Sequence, residues 1–195
     1  MTLTHQALFE TLREFDLLKT VIRKTPIFEG SRLENSAEHS WHLALAAMLF
    51  LGKSDEKLDE LKIIKMALIH DIVEIYAGDT FVYDIQGQKD QEEREKKAAA
   101  KLFLKEEIPE LKNWLEIWEE FEAAESPEAV FLKGLDRLLP ILSNTFNDGF
   151  SWKKYGIEKD RVLKRNAIIE KSHPELWQDV QKLLDKNVRE GKLTE

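Results

Sequence analysis

Met66-Ala67-Leu68-Ile69-His70-Asp71-Ile72-Val73-Glu74-Ile75-Tyr76-Ala77 is the stretch on which the reading of the fold turns. Apart from His70, Asp71 and Glu74 it is apolar on every side. That predicts the second half of a central, buried helix running from about Leu58 to Ala77. Gly78 follows it as a residue suited to a helix C-terminus. The three polar side chains then need an explanation, because an unpaired carboxylate inside a protein must shift its pKa, find a partner or coordinate a metal. His70 and Glu74 lie one turn apart on the same face, and Asp71 is the next residue round.

Outward from this helix the pattern stays helical, and the expectation is an all-α fold of about seven helices or more. Leu8, Leu12, Phe15, Leu18 and Ile22 recur at steps of three or four and predict a helix from about His5 to Lys24. Thr25 to Arg32, with Pro26 and Gly30, reads as a loop. Asn35 and Glu38 have capping-box spacing at the head of a helix ending near Leu51, followed by a short turn over Gly52 to Asp55. Asp79 to Gln88 reads as a loop. Helices are expected over Lys89 to Glu106 and Glu110 to Ala124, and from Ser126-Pro127 to about Phe146, with Ser126 as cap and Pro127 in the first turn. After a loop over Asn147 to Gly156, two further helices cover Glu158 to Lys171 and Pro174 to Arg189. The charge run from Gln91 to Lys97 reads as a solvated face, and Trp114, Trp118 and Phe121 as core.

The 195 residues suit a single domain over 1–195, with no linker and no internal repeat. There are no cysteines, which excludes disulfides, thiolate metal sites and thiol nucleophiles. The formal net charge of -8 gives no bulk attraction for a nucleic acid polymer or an anionic membrane. No signal peptide or membrane-spanning stretch stands out, so a cytoplasmic location is expected.

Two more residues sit oddly in apolar helices. His39 lies in the first turn of the helix after Asn35, and Asp136 lies within Gly134-Leu135-Asp136-Arg137-Leu138-Leu139. With His70 and Asp71 they can form a cage for one divalent ion, since imidazole plus carboxylate suits Mn, Fe, Co, Ni or Zn. Taken singly, each residue also has a structural reading: a core histidine bonded to a carbonyl, or Asp136 paired with Arg137 or Arg161.

In this order, His39, His70-Asp71 and Asp136 resemble the metal-dependent phosphohydrolases of the HD-domain family. Arg32-Leu33-Glu34-Asn35-Ser36-Ala37-Glu38-His39-Ser40, His70-Asp71-Ile72-Val73-Glu74 with Gly78-Asp79, and Leu135-Asp136-Arg137 are similar to its 5′-deoxynucleotidase branch. The similarity covers about Ile22 to Trp152. It implies a compact helical HD-domain fold, with the C-terminal helices packed on the motif region. It also implies one divalent metal ion (Mn, Co, Fe, Ni, Zn or Mg) held by His39, His70, Asp71 and Asp136, with Glu74 and Asp79 as catalytic carboxylates. The implied reaction is hydrolysis of a (deoxy)ribonucleoside 5′-monophosphate to nucleoside and phosphate, by an enzyme that is often a homodimer. The alternatives are another phosphoester or nucleotide polyphosphate as substrate, and a non-catalytic metal- or ligand-binding helical module.

Related deoxynucleotidases carry an Arg-Trp pair before a Pro. Here the stretch is Arg23-Lys24-Thr25-Pro26, without Trp, and Arg23 or Lys24 only loosely replaces the Arg. Arg32 is the arginine whose planar fork best suits a phosphate, with an ion pair to Glu34 or Glu38 as its structural reading. No His lies between Asp71 and Asp136, which disfavours a binuclear centre. General-acid and general-base roles remain open between Glu74 and Asp79.

Overall fold

The computed structural model describes residues 5–52 and 57–195, so most of the turn expected at 52–55 lies outside the described residues. Among the described residues the fold is helical apart from one two-stranded ribbon.

That ribbon is the first departure from the periodicity. Helix α1 (His5–Phe15) stops early, passes into a 3-10 turn (Asp16–Thr20), and gives way to strand β1 (Ile22–Pro26). Strand β1 pairs antiparallel with β2 (Leu33–Asn35), with Ile22 opposite Asn35 and Pro26 opposite Leu33. Val21, Ile22 and Thr25 are β-branched, and Pro26 has no amide to give a helix. Local chemistry therefore overrides the apolar spacing, and Arg23 rides on a strand beside Glu34.

Helix α2 (Ser36–Leu51) begins as expected. The Asn35 side chain accepts from the Glu38 amide, and the Glu38 carboxylate accepts from the Asn35 amide. Two donors at the helix end are thereby satisfied, and His39 is fixed in the first turn.

The central helix does not run through as one regular element. Helix α3 (Glu60–Ile69) ends just before His70, and α4 (Glu74–Ala77) resumes after it. Between them the amides of Ile72, Glu74, Ile75 and Tyr76 bond three residues back instead of four. Three residues per turn brings Asp71 and Glu74 nearly into line along the chain. The tighter winding thus turns both carboxylates toward one side.

Helices α5 (Gln91–Phe103) and α6 (Leu111–Ala123) follow, and then α7 (Pro127–Phe146), which packs against α2, α3, α6 and β1. Ser126 caps α7 by accepting from the Ala129 amide. Pro140 lies inside α7 and lacks the amide that would bond to the Asp136 carbonyl one turn earlier. Residues 147–156, expected as a loop, instead hold α8 (Phe150–Tyr155), which buries Trp152. The expected helix over 158–171 is split at buried Asn166 into α9 (Lys159–Arg165) and α10 (Ile168–Ser172). Helix α11 (Pro174–Arg189) closes the chain.

Two apolar clusters hold these elements. The larger joins Leu43, Ile63, Met66, Leu132, Leu135 and Ile141 with residues of the C-terminal helices. The second joins Ile69, Ile72 and Val73 to Ala98, Leu102 and Trp118. The His70–Glu74 segment therefore runs from the face of one cluster to the other. Gly134 permits a close crossing: a Cβ there would lie 2.9 Å from Ser172 Cβ, so α10 can close on α7 two residues before Asp136.

Candidate active site

His39, His70 and Asp136 arrive from α2, the end of α3 and α7, and one donor atom from each lies within 4.8 Å of the other two. His39 Nε2 stands 2.9 Å from Asp136 Oδ1, and His70 Nε2 stands 4.0 Å from the same oxygen. Both imidazoles are buried, with side chains 1% and 3% exposed.

The tautomer of His70 follows from its neighbours. Its Nδ1 lies 2.9 Å from the Ala67 carbonyl, which can only accept, so Nδ1 carries the proton. Nε2 of the neutral ring is then a lone pair aimed into the cluster, and it is buried with no hydrogen-bond partner. For His39, Glu34 Oε2 faces Nδ1 at 3.5 Å without completing a hydrogen bond, so Nδ1 is buried next to a carboxylate that can orient the ring of a ligating imidazole. Imidazole lone pairs and a carboxylate oxygen converging on one point suit a divalent cation, and this donor set fits the implied metal ion.

Asp71 stands at the edge of this group. Its Oδ1 is 3.1 Å from His70 Nε2, while its Oδ2 accepts from Arg23 at 3.0 Å. It is not one of the three mutually close donors. Glu74 is buried and accepts from Ser36 Oγ at 2.5 Å. Asp79 follows Gly78 and lies 3.7 Å from Arg23. Gly78 has φ 76° and ψ 154°, a region open essentially to glycine alone. Gly78→Ala is expected to lower stability by about 1–3 kcal/mol in urea unfolding, through backbone strain next to Asp79.

Arg23 is the cation of the site. Besides Asp71 and Asp79 it faces Glu34 at 3.4 Å, and these carboxylates with Glu74 raise its pKa against the effect of burial. Burial and the Arg23 charge oppose protonation of His39, but its bond to Asp136 and the nearby Glu34 carboxylate outweigh them and lift it to about 9. Burial would raise Asp71 and Asp136; the adjacent His70 and the Arg23 guanidinium hold Asp71 at about 2, and the His39 bond with Arg137 holds Asp136 lower still. Glu74 and Asp79 go the other way, raised by burial and by Asp71. Four carboxylates (Glu34, Asp71, Glu74 and Asp79) thus gather around Arg23, and Asp136 pairs with His39 beside Arg137, so carboxylates are in surplus where a divalent ion would neutralise them.

The other arginine is placed elsewhere. Arg32 is more than half exposed, forms a two-pronged pair with Glu38 at 2.6 and 2.8 Å, and does not line the cavity. Its fork is taken by the residue that also caps α2, so the ion-pair reading describes it.

Sequence reasoning passed over three contributors: Glu34, Ser36 and Glu95. Glu95 lies in the Gln91 to Lys97 run, whose charge reads as a solvated face. It is buried on α5, accepts from Gln91 and lines the cavity. The signal was present in its spacing, since Glu95, Ala98, Ala99 and Leu102 share one helical face. Arg94, from the same run, reaches back to the Ala77 and Gly87 carbonyls and to Thr80 Oγ1, so it fastens the loop that carries Asp79. Burial lifts the Glu95 carboxyl from 4.5 to about 6. A carboxyl raised on folding contributes stability that is fully present below its unfolded value and is lost as pH rises through about 6. Glu95→Gln is therefore expected to stabilise the protein at pH 7 by up to about 2 kcal/mol, with no gain below about pH 4.5, read from urea midpoints across pH.

The sequence profile described as the HD domain matches residues 15–177. The chain belongs to the HD-domain family. Among curated HD-domain relatives, the human 5'-deoxynucleotidase HDDC2 is 31% identical over 140 residues, covering 70% of this chain and 66% of that one. The 5'-deoxynucleotidase hdd1 of Schizosaccharomyces pombe is 27% identical over 128 residues, covering 62% of each chain. The chain thus spans just under two thirds of the length of the curated relatives it matches. A crystal structure of a predicted metal-dependent phosphohydrolase from Magnetospirillum magnetotacticum MS-1 is 41% identical. It covers 97% of this chain and 95% of its own, with a TM-score of 0.91. A Pyrococcus furiosus protein at 22% identity and TM-score 0.63 shares the fold.

Proposed function

We propose that this HD-domain protein is a metal-dependent phosphomonoesterase that hydrolyses nucleoside 5′-monophosphates to nucleoside and phosphate. One observation carries the reading: His39, His70 and Asp136 converge, and His70 and Asp136 of this group open on the same cavity as Glu74, Asp79 and Arg23. The names of the curated relatives support the substrate class.

His39, His70 and Asp136, joined by Asp71, would hold the ion. Bound there, a divalent ion supplies a Lewis acid for the phosphoryl oxygens and lowers the pKa of a water. The chain's own groups do the rest. Arg23 offsets the negative charge that would otherwise repel a phosphate dianion. Glu74, oriented by Ser36, and Asp79, oriented by Gly78, exchange protons with the attacking water and the departing oxygen. A bond forms from the water oxygen to phosphorus, the bond from phosphorus to the 5′ oxygen breaks, and the proton ends on the leaving alkoxide.

Purified protein with Mn²⁺ or Co²⁺ should release phosphate and nucleoside in equal amounts from nucleoside 5′-monophosphates. Release of pyrophosphate, or turnover confined to other phosphoesters, would replace this reading with another HD-domain hydrolysis. No release from any substrate would leave a metal-binding module.

The same reading takes the chain as one domain, supported by Trp177, Val180 and Leu184 of α11, which share the main core. It also takes the protein as a homodimer. Helix α2 leaves Trp41, Leu45, Met48 and Leu49 exposed along one uncharged stripe, of the kind that a second subunit covers. Met48→Glu is expected to shift the sedimenting species from dimer to monomer.

A further inference from the structure

We propose that the leaving nucleoside lies in the groove between α5 and α6, and that this groove selects leaving groups without a second negative charge. The inference rests on the phosphomonoesterase reading and adds where the rest of the substrate goes.

The first argument is size. The cavity beside His70 and Asp136 has a volume of about 130 Å³. Sites that enclose a small organic ligand run from about 300 to 1,000 Å³. The inner cavity thus has room for a phosphoryl group and not for a nucleoside. An adjoining groove has a volume of about 900 Å³.

The second argument is continuity. Thr80, Val82, Gln91, Glu95, Trp118 and Arg137 line both spaces, so a ligand with its phosphate at the metal cluster has an open path into the groove. The loop that carries Asp79 reaches that shared wall at Thr80. The bond to be broken would therefore lie where the two spaces meet.

The third argument is chemistry. Ala100, Leu104 and Leu115 give the groove apolar surface, while Gln88, Gln91 and Glu95 give it amide and carboxylate groups. Apolar walls with a few fixed polar groups suit a nucleobase and sugar hydroxyls. Glu95 accepts only from Gln91 among the described residues, so its carboxylate has acceptor capacity left for a hydroxyl or an exocyclic amine.

Charge sets the limit. Glu92, Glu95, Glu119 and Glu122 face Lys96, Arg137 and Arg165. Lys96 is paired with Glu92, Arg165 donates to Gln88, and Arg137 is drawn toward Asp136 at 3.8 Å. Among the described residues, four carboxylates face three cations that are spread along the groove and do not cluster to hold a second phosphate. A 3′-phosphate or a continuing nucleotide chain would meet surplus carboxylate, whereas an uncharged nucleoside would not.

The test uses the full chain loaded with Mn²⁺, and Ala100→Trp, which fills the groove from an exposed position on α5. Deoxyadenosine 5′-monophosphate, deoxyadenosine 3′,5′-bisphosphate and phenyl phosphate are compared, and the Kd of deoxyadenosine is measured by calorimetry. The expected result for Ala100→Trp is a rise of about tenfold or more in KM for the nucleotide and in the nucleoside Kd, with a smaller rise in KM for phenyl phosphate, whose leaving group reaches less far into the groove. Wild type should turn over the bisphosphate about tenfold less efficiently than the monophosphate, and Glu119→Lys should narrow that gap. Phenyl phosphate hydrolysis with an unaltered nucleotide KM and nucleoside Kd in Ala100→Trp would overturn the groove assignment alone. Failure of wild type to hydrolyse any of the three would overturn the phosphomonoesterase reading and the groove with it.

Discussion

Asp136→Ala should cost the protein its bound divalent ion and its turnover in a single step. The carboxylate supplies one of the three mutually close donor atoms and contacts His39 Nε2 at 2.9 Å. Loss of a group that merely supports a metal ligand typically costs 10- to 100-fold in affinity or activity, so loss of the ligand itself should exceed about 100-fold. The fold is also expected to weaken. His39 stays buried with its partner gone, and breaking such a buried pair costs about 3–5 kcal/mol. Asp136→Asn keeps the shape and one carbonyl oxygen, so it should retain more stability than Asp136→Ala while still losing metal. Metal content after dialysis and a urea midpoint separate the two effects. Full retention of the ion by either variant would remove Asp136 from the centre.

The second large effect is expected at Arg23. Its guanidinium is largely buried, with Asp71 at 3.0 Å, Glu34 at 3.4 Å and Asp79 at 3.7 Å. Arg23→Ala leaves three carboxylates facing one another without compensation, at about 3–5 kcal/mol. A ligand that binds only the native state adds stability in proportion to the logarithm of its concentration over its Kd. Saturating Mn²⁺ should therefore recover more stability in Arg23→Ala than in wild type, because the ion meets a larger charge surplus. Phosphatase turnover should fall even when metal is restored, since the positive charge facing the phosphate is missing. Arg32→Ala is the control. It removes an exposed pair and should change stability by no more than about 1 kcal/mol, with turnover unaltered. Equal effects at the two arginines would contradict the charge balance described for the cavity.

Much of the scaffold was legible because it rests on short-range chemistry. Asn35 with Glu38 starts α2, Ser126 with Pro127 starts α7, and Gly78 ends the segment that carries Glu74. Three of the four proposed ligands could be read as convergent because each sat on an apolar helix with no reason to be polar. What was not legible depended on pairing across the chain or on small changes of winding. The apolar spacing of residues 5–24 continues to Ile22, but the β-branched residues 21, 22 and 25, Pro26 and the pairing of 22–26 with 33–35 decide the conformation there. That ladder places Arg23 in the cavity, and no local signal could rank it above Arg32. The change to bonds three residues back over 72–76 is likewise invisible in a pattern of apolar residues, yet it sets the direction of Asp71 and Glu74. Glu95 was hidden for a different reason: charged neighbours masked its place on the buried face of α5.

The account stands on one buried site for a single divalent ion, and titration of the metal-free full chain with Co²⁺ tests that most directly. Absorption reports the coordination environment, and elemental analysis after gel filtration reports the stoichiometry. One Co²⁺ per chain is expected, with an absorption band characteristic of nitrogen and oxygen ligands that disappears in His70→Ala. No saturable binding by wild type, or an unchanged band and stoichiometry in His70→Ala, would contradict it.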